Sequence, residues 1–304
     1  MKSLPKQAIL VVNAMSRRGA DIFEEAADKL RAAGVDLIDS IAVTEPSKMD
    51  SSIKDAIARA PMVIVGGGDG SLSTNVDNFV GKDTVFAVLP LGTANSFAKT
   101  MGIGDDLDDA IAVIADGERR RIDLGRIDGD YFANAAAIGL SPLIADTVPH
   151  RLKKYLGMVG YLIWAARVAF KFRPFRITVT TDDGKQHRCW ATEVRIANGT
   201  HHGGVELIED ADVQSGDIVI QAVTGTRLWG LAWSWFATLF KLSGRERNTT
   251  EWRGRKMTLD TRPHQKISVD GEIEAKTPVT VEVAKGAIEV AAPRPGQFDK
   301  EASG

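Results

Sequence analysis

Four glycines around one aspartate, Gly66-Gly67-Gly68-Asp69-Gly70-Ser71, follow directly on the apolar run Met62-Val63-Ile64-Val65. Phosphate binding calls for this order. Glycines let a backbone reach positive φ and approach an anion closely, and a helix over Ser71 to Phe79 would aim its free N–H groups and positive dipole end at the phosphate. A carboxylate such as Asp69 beside polyphosphate makes sense through a bridging Mg²⁺. The loop is neither a P-loop, whose Lys would follow the last Gly, nor a dinucleotide fingerprint, whose third Gly falls here at Ser71. Taken alone it is also compatible with a ligand-free strand-to-helix turn.

A second apolar run, Val85 to Leu89, ends in Pro90-Leu91-Gly92-Thr93-Ala94-Asn95-Ser96, another small-residue turn that opens a helix. A third, Ile9 to Val12, leads into the polar and basic loop Asn13-Ala14-Met15-Ser16-Arg17-Arg18-Gly19. Turns at the carboxyl ends of neighbouring strands build a crevice. Together these blocks resemble the diacylglycerol kinase family of lipid kinases, its bacterial soluble branch in particular. That family has an Asn-Pro-x-Ser-type first loop, a Gly-Gly-Gly-Asp-Gly loop, a Pro-x-Gly-Thr-x-Asn turn and a late Asp-Gly-Glu, matched here by Asp270-Gly271-Glu272.

The positioning elements follow from periodicity. Up to about residue 124 strands and helices alternate, with strands at 9–12 and 36–43 and helices at 21–33, 47–59 and 107–116. This predicts a parallel sheet covered on both faces, a three-layer α/β nucleotide-binding domain over 1–124. Beyond it lie short β-rich runs at 131–138, 176–182, 188–197, 217–222, 256–261, 265–269 and 279–283, which suit an antiparallel β-sandwich over 125–290. The resemblance implies the same division, a nucleotide cleft between the domains, and a chain end, here 291–304, that returns to the first. With 304 residues the chain is too large for one small core, and its 38 basic against 40 acidic residues argue against a nucleic-acid binder. Cys189 is the only cysteine, so no intrachain disulfide forms, and the apolar run at 8–12 is too short for a secretion signal. The expected place is the cytoplasm, peripheral on the inner membrane face.

The chemistry implied is phosphoryl transfer from ATP, in which a protein mainly positions groups and neutralises charge. Gly66, Gly67, Gly68, Gly70, Ser71, Gly92, Thr93 and Asn95 would cradle phosphates, with Asn13, Ser16 and Arg17 reaching them from the first loop. By resemblance Asp69 and Asp123 hold Mg²⁺, the second lying in Arg119-Arg120-Arg121-Ile122-Asp123-Leu124-Gly125, which resembles the family's Arg-x-x-Asp-hydrophobic-Gly element. Asp270 is the expected general base, with Glu272 orienting it; without the resemblance, Asp-Gly between β-rich runs reads as a type I′ hairpin. Three departures stand out: Ser96 where many members have Asp, Ala14 where Pro is usual, and Gln214-Ser215 in place of two carboxylates of an accessory cation site, which predicts that site to be weak or absent.

For the acceptor, two segments are informative. Leu228 to Phe240 is apolar with three tryptophans and is followed by Lys241, Arg245 and Arg247; Tyr155 to Phe172 follows Arg151, Lys153 and Lys154. Both are compatible with buried helices and with helices lying in a membrane interface. His201 and His202 fit a cleft-lining loop better than a metal site, because adjacent side chains diverge. The reading is an ATP- and Mg²⁺-dependent lipid kinase that contacts the membrane surface. The alternatives are a soluble-substrate kinase of the NAD kinase and phosphofructokinase superfamily, or a nucleotide- and lipid-binding module without catalysis.

Overall fold

The computed structural model describes residues 2–15, 17–104, 106–202, 205–206, 208, 211–224, 249–270 and 272–298. Its first half is built from strands β2 (Gln7–Asn13), β3 (Asp36–Val43), β4 (Met62–Gly67) and β5 (Val85–Pro90), after a two-residue β1 (Lys2–Ser3). They lie parallel in the order β3-β2-β4-β5. Every residue of β4 and β5 is buried, which requires cover on both faces and explains why these strands are unbroken apolar runs rather than alternating ones. The cover includes α1 (Arg17–Ala32), α2 (Met49–Arg59) and α5 (Leu107–Asp116), whose Ala26, Leu30, Ile53, Ala110 and Ile114 join the strands in one core.

Chain order and strand order disagree at one place. From β2 the chain steps to β3 on one side, then crosses back over β2 to reach β4 on the other. The carboxyl ends of β2 and β4 therefore flank a topological switch point, where open α/β sheets leave a crevice for a ligand. Asn13 ends one strand and Gly67 the other.

After β6 (Glu118–Ile127) the sheet becomes antiparallel through β7 (Asp130–Phe132), β8 (Ala135–Gly139), β9 (Phe175–Thr180) and β10 (Gln186–Ala197). Between β8 and β9 stand α6 (Leu140–Thr147) and α7 (His150–Lys171). Further along come the short β11 (His201–His202) and β12 (Val205–Glu206), then β13 (Ile218–Thr224), β14 (Thr249–Gly254), β15 (Lys256–Arg262), β16 (Lys266–Val269), β17 (Glu272–Lys276) and β18 (Val279–Ala292). In β10, residues 186–191 pair with β9 while 193–197 pair with β8 and β13, the change falling at an irregularity between Ala191 and Glu193. One strand thus serves two sets of partners, a device for turning a sheet into a sandwich around Phe175, Ile177, Val194, Ile220 and Leu259.

β18 joins the halves. Its beginning pairs with β15 and places Val279 and Val281 in the second core, while Glu289 and Val290 pair in parallel with β5 and Ile288, Val290 and Ala292 enter the first. The expected strand at 279–283 is therefore the start of a fourteen-residue one. The expected strand at 131–138 is broken at Ala133-Asn134. The segment Leu228 to Phe240 with its following Lys241, Arg245 and Arg247 lies outside the described residues, as do Ser16, Gly271 and 299–304.

Candidate active site

The glycine loop turns from β4 into α3 (Asp69–Val76) with Gly68 as the residue before the helix, and no side chain caps that helix start. None of Gly66, Gly67, Gly68, Gly70 and Gly92 has positive φ, contrary to the expectation from sequence. What requires glycine is proximity. A Cβ on Gly67 would stand 2.7 Å from Ser71 Cβ, and one on Gly92 would stand 2.7 Å from Gly68 Cα and 2.9 Å from Asn95 Oδ1. The two turns thus touch backbone to backbone. Only Gly70 faces open space, with nothing within 4 Å of a Cβ placed there.

Side chains stitch the cradle. Asn13 Nδ2 donates to Ser71 Oγ at 2.8 Å across the switch point, and Asn75 Nδ2 donates to the Ser71 carbonyl at 2.8 Å. Asn95, left-handed at φ +49° and buried, accepts from Gly92 N at 2.9 Å through Oδ1 and leads into α4 (Ser96–Thr100). Asp69 Oδ1 accepts from Phe97 N at 3.2 Å, so one oxygen of the half-buried carboxylate fixes the start of α4. Thr93 is exposed beside it.

Asp270 reaches this cradle from the other half of the fold. Val269 of β16 is paired with Glu272 of β17, so Asp270 occupies the first position of a two-residue hairpin turn, at φ +45°. Its carboxylate is held from four directions. Oδ2 accepts from Ser73 Oγ at 2.7 Å and from Ala133 N at 2.9 Å; Oδ1 accepts from Asn134 N at 3.2 Å and Ala135 N at 3.0 Å. The break between β7 and β8 thus turns three successive amides onto one carboxylate. Ser73 belongs to α3, four residues after Asp69, and residues so spaced share a helix face with Cβ atoms about 5–6 Å apart. Asp69 and Asp270 are thus tied to one helix a turn apart, Asp69 as its first residue and Asp270 through the Ser73 hydroxyl.

Ser73 and the 133–135 amides were not among the residues singled out from sequence. A serine one turn beyond a glycine loop carries no signal of its own, and backbone amides carry no residue-type signal at all.

Asp123 is placed differently. It is 4% exposed, and its Oδ2 accepts from Gly216 N at 2.8 Å while Oδ1 accepts from Gly286 N at 2.6 Å. Both oxygens are engaged in fastening the 212–216 loop and the turn of β18 to β6. Gln214 and Ser215 help hold that loop through Asp212: Gln214 N donates to Asp212 Oδ1 at 2.9 Å and Ser215 Oγ to the Asp212 carbonyl at 2.8 Å. Among the described residues no group of three or more His, Cys, Asp or Glu gathers as a metal cage. Mg²⁺ that travels with a nucleotide needs only one or two carboxylates besides phosphate and water. Asp69, beside an uncapped helix start, fits that demand.

His201 sits against α4, its N–H donating to Thr100 Oγ1 at 3.3 Å, and Thr100 in turn donates to Asn134 Oδ1 at 3.2 Å. This second set of contacts between the halves lies next to the first. The side chains of Arg17, His202 and Glu272 lie outside the described residues.

Residues 7–127 match the family described as diacylglycerol kinase catalytic domain, and residues 136–292 match that described as YegS C-terminal NAD kinase beta sandwich-like domain. A protein of Shewanella frigidimarina named "Probable lipid kinase YegS-like" is 32% identical over 57% of this chain and 58% of its own length. One of the same name from an Enterobacter species is 30% identical over 77% of this chain and 78% of its own. The crystal structure of a diacylglycerol kinase from Bacillus anthracis superposes with a TM-score of 0.75 at 20% identity, covering 95% of this chain and 98% of that one, which establishes the shared fold.

Proposed function

The chain belongs to the diacylglycerol kinase family of lipid kinases, which are phosphotransferases, and on that premise we propose that it transfers the γ-phosphoryl group of ATP to a hydroxyl of a membrane lipid such as diacylglycerol, ceramide or a sphingoid base. The observation that carries the proposal is the 2.7 Å hydrogen bond from Ser73 to Asp270, which sets a carboxylate across from the glycine loop.

The triphosphate lies over the start of α3, against the N–H groups that follow Gly68 and the open face at Gly70, with Asn13, Ser71, Gly92, Thr93 and Asn95 shaping the cradle. Asp69 would hold Mg²⁺, which when bound would supply charge neutralisation at the phosphates. Asp123 has a positioning part through its two amide bonds rather than a share of that ion. The acceptor hydroxyl approaches Asp270 Oδ2. Of the four donors on Asp270 only the Ser73 hydroxyl can rotate away, so that oxygen is the one able to take a new O–H. As the acceptor oxygen bonds to the γ-phosphorus and the bond to the ADP oxygen breaks, the proton passes to Asp270. Glu272, two residues on, has the orienting part.

The lipid arrives from a membrane surface. No helix among the described residues is long and apolar enough to cross a bilayer. α7, however, packs the half-buried Tyr161, Ala165 and Val168 against Leu140 and Ile144 of α6 and Val223 of β13, while Leu162, Ile163 and Phe170 are exposed, as are Arg167 and Lys171. An apolar stripe with a basic flank suits peripheral contact with anionic lipid from the cytoplasmic side.

The test is transfer of label from ATP, with Mg²⁺, to diacylglycerol, monoacylglycerol, ceramide, sphingosine and phosphatidylglycerol in mixed micelles, alongside NAD and fructose 6-phosphate. A labelled lipid that disappears with Asp270→Asn supports the proposal; label on NAD or the sugar phosphate refutes it.

A further inference from the structure

Asp270 is held by amides whose far ends are held as well. The N–H groups of Asn134 and Ala135 donate to Asp270 Oδ1 at 3.2 and 3.0 Å. In a trans peptide the N–H and the carbonyl point in opposite directions, so the carbonyls behind these two amides are those of Ala133 and Asn134. Both meet the residues that follow β10. Asn198 Nδ2 donates to the Ala133 carbonyl at 2.9 Å, while Asn198 N and Gly199 N each donate to the Asn134 carbonyl at 2.9 Å. Two peptide groups thus stand in line between Asn198 and Asp270, each receiving a hydrogen bond at one end and giving one at the other. Bonds in such a chain polarise one another, and a polarised N–H is a stronger donor to a carboxylate. The third amide on Asp270, that of Ala133, shares its peptide with the Phe132 carbonyl, which is not among the acceptors of Asn198.

The Asn198 side chain is committed to this arrangement. It is 1% exposed, and its second Nδ2 proton goes to the Asp123 carbonyl at 2.9 Å. The NH₂ therefore lies between two acceptors and cannot exchange places with Oδ1, which donates nothing. Oδ1 is left buried without a hydrogen-bond partner among the described residues. A buried acceptor in that state is destabilising. An apolar side chain of similar size would remove that defect, but it would leave the 133–134 peptide without its side-chain donor. The two oxygens of Asp270 are consequently unlike: Oδ1 receives both polarised amides, whereas Oδ2 has the Ala133 amide and the rotatable Ser73 hydroxyl.

We propose that Asn198 is a positioning residue that orders the Asp270 carboxylate through the 133–134 peptide, fixing Oδ1 and leaving Oδ2 to take the proton of the acceptor hydroxyl. Asp123 contributes through its carbonyl, which anchors the Asn198 amide to β6. The consequence for catalysis rests on the reading of Asp270 as the base; the polarised peptide does not.

The test follows the peptide and the reaction separately on the full chain. In amide proton–nitrogen NMR spectra of deuterated protein, Asn198→Leu is expected to move the Asn134 amide proton upfield. The Ala133 amide stays in place, and so does that of Ala135, whose peptide keeps its two backbone donors. At saturating ATP and lipid, kcat falls roughly three- to tenfold with both KM values within twofold. The acidic limb of the pH–kcat profile moves to higher pH by about half a unit, because weaker donation favours the carboxylate less. In the Asp270→Asn background Asn198→Leu lowers kcat no further. Should Asn198→Leu fail to fold, Asn198→Ala removes the same two donors and carries the same measurements. A displacement of all three amides together, an unmoved Asn134 amide, or a loss of kcat as large without Asp270 as with it would overturn the proposal. Movement of the Asn134 amide alone, in a protein that phosphorylates no lipid, would refute Asp270 as the base and support Asn198 as the residue that orders its carboxylate.

Discussion

Replacing Asp270 by Asn removes a charge while keeping the shape, and the geometry allows its two consequences to be separated. The carboxylate accepts from four donors, Ser73 Oγ and Ala133 N on one oxygen and Asn134 N and Ala135 N on the other. An asparagine best keeps its carbonyl toward Asn134 and Ala135, whose amides cannot turn. Its NH₂ then faces Ser73, whose hydroxyl can rotate to accept, and Ala133, whose N–H is left without an acceptor. One orphaned amide costs about 1–3 kcal/mol. At about 2–4 °C per kcal/mol for a chain of this size, melting falls by roughly 2–12 °C. Loss of a general base lowers kcat by about 10²- to 10⁴-fold, which is roughly 2.7–5.4 kcal/mol on the barrier. The assay is therefore run well below the variant's melting temperature, with kcat taken at saturating ATP and lipid. Ser73→Ala is the control: it leaves three amides on Asp270, and it is expected to lower kcat by less than about tenfold for about 1 kcal/mol of stability. If Asp270→Asn melts as calculated yet keeps kcat within tenfold of wild type, Asp270 is a strut between the halves and not the base.

Gly92→Ala puts a Cβ 2.7 Å from Gly68 Cα, a backbone atom that can yield only by parting the two turns; a loss of about 1–3 kcal/mol and a raised KM for ATP are expected, read by melting and initial rates. Gly70→Ala, with open space around it, should melt as wild type. Asp69→Ala should raise the Mg²⁺ concentration needed for half-maximal rate. Asp123→Ala should leave that requirement alone and instead cost about 2–5 kcal/mol in urea unfolding, because it orphans the amides of Gly216 and Gly286; the opposite assignment of effects would return Asp123 to the metal. Arg126 hydrogen-bonds Glu282 and thereby holds its carboxyl below the usual glutamate range, so this pair adds stability at neutral pH that disappears as pH falls through the lowered value. The melting difference between wild type and Arg126→Met should accordingly be full at pH 7 and shrink progressively below about pH 4.5.

The parallel half was legible because strands buried on both faces are written as contiguous apolar residues, and helices between them end in recognisable stops. The helix at Leu107–Asp116 has its expected bounds, with Asp106 capping it through a bond from Asp108 N. β6 was not legible as a strand, since Glu118-Arg119-Arg120-Arg121 has no apolar alternation. It is satisfied by partners distant in sequence, among them Glu289, which Arg119 and Arg121 both meet. The second half of β18 was obscured by Lys285-Gly286, where the register shifts and Gly286 takes φ +57° before pairing resumes. In the site, glycine blocks and the Asp-Gly hairpin announced themselves by residue type. The reason for the glycines did not, because positive φ and close approach select the same residue.

The least legible part, the contact between Ser73 and Asp270, is also the one that explains how the halves cooperate. α3 has an uncapped start, where the proposed function puts the phosphates, and one turn later its Ser73 hydroxyl meets Asp270, the proposed base. A rigid helix thereby carries both reference points, so any shift that moves the phosphate cradle carries the Asp270 contact with it. The 133–135 amides fix the same carboxylate to the antiparallel half, and Thr100 ties Asn134 back to α4 beside Asp69. The glycine turns and Asp270 are held together by hydrogen bonds across the boundary between the halves. Among the described residues Ser73 supplies the only side-chain hydrogen bond from the first half to Asp270, so on the proposed reading an acceptor hydroxyl that displaces Ser73 from Oδ2 takes over that link.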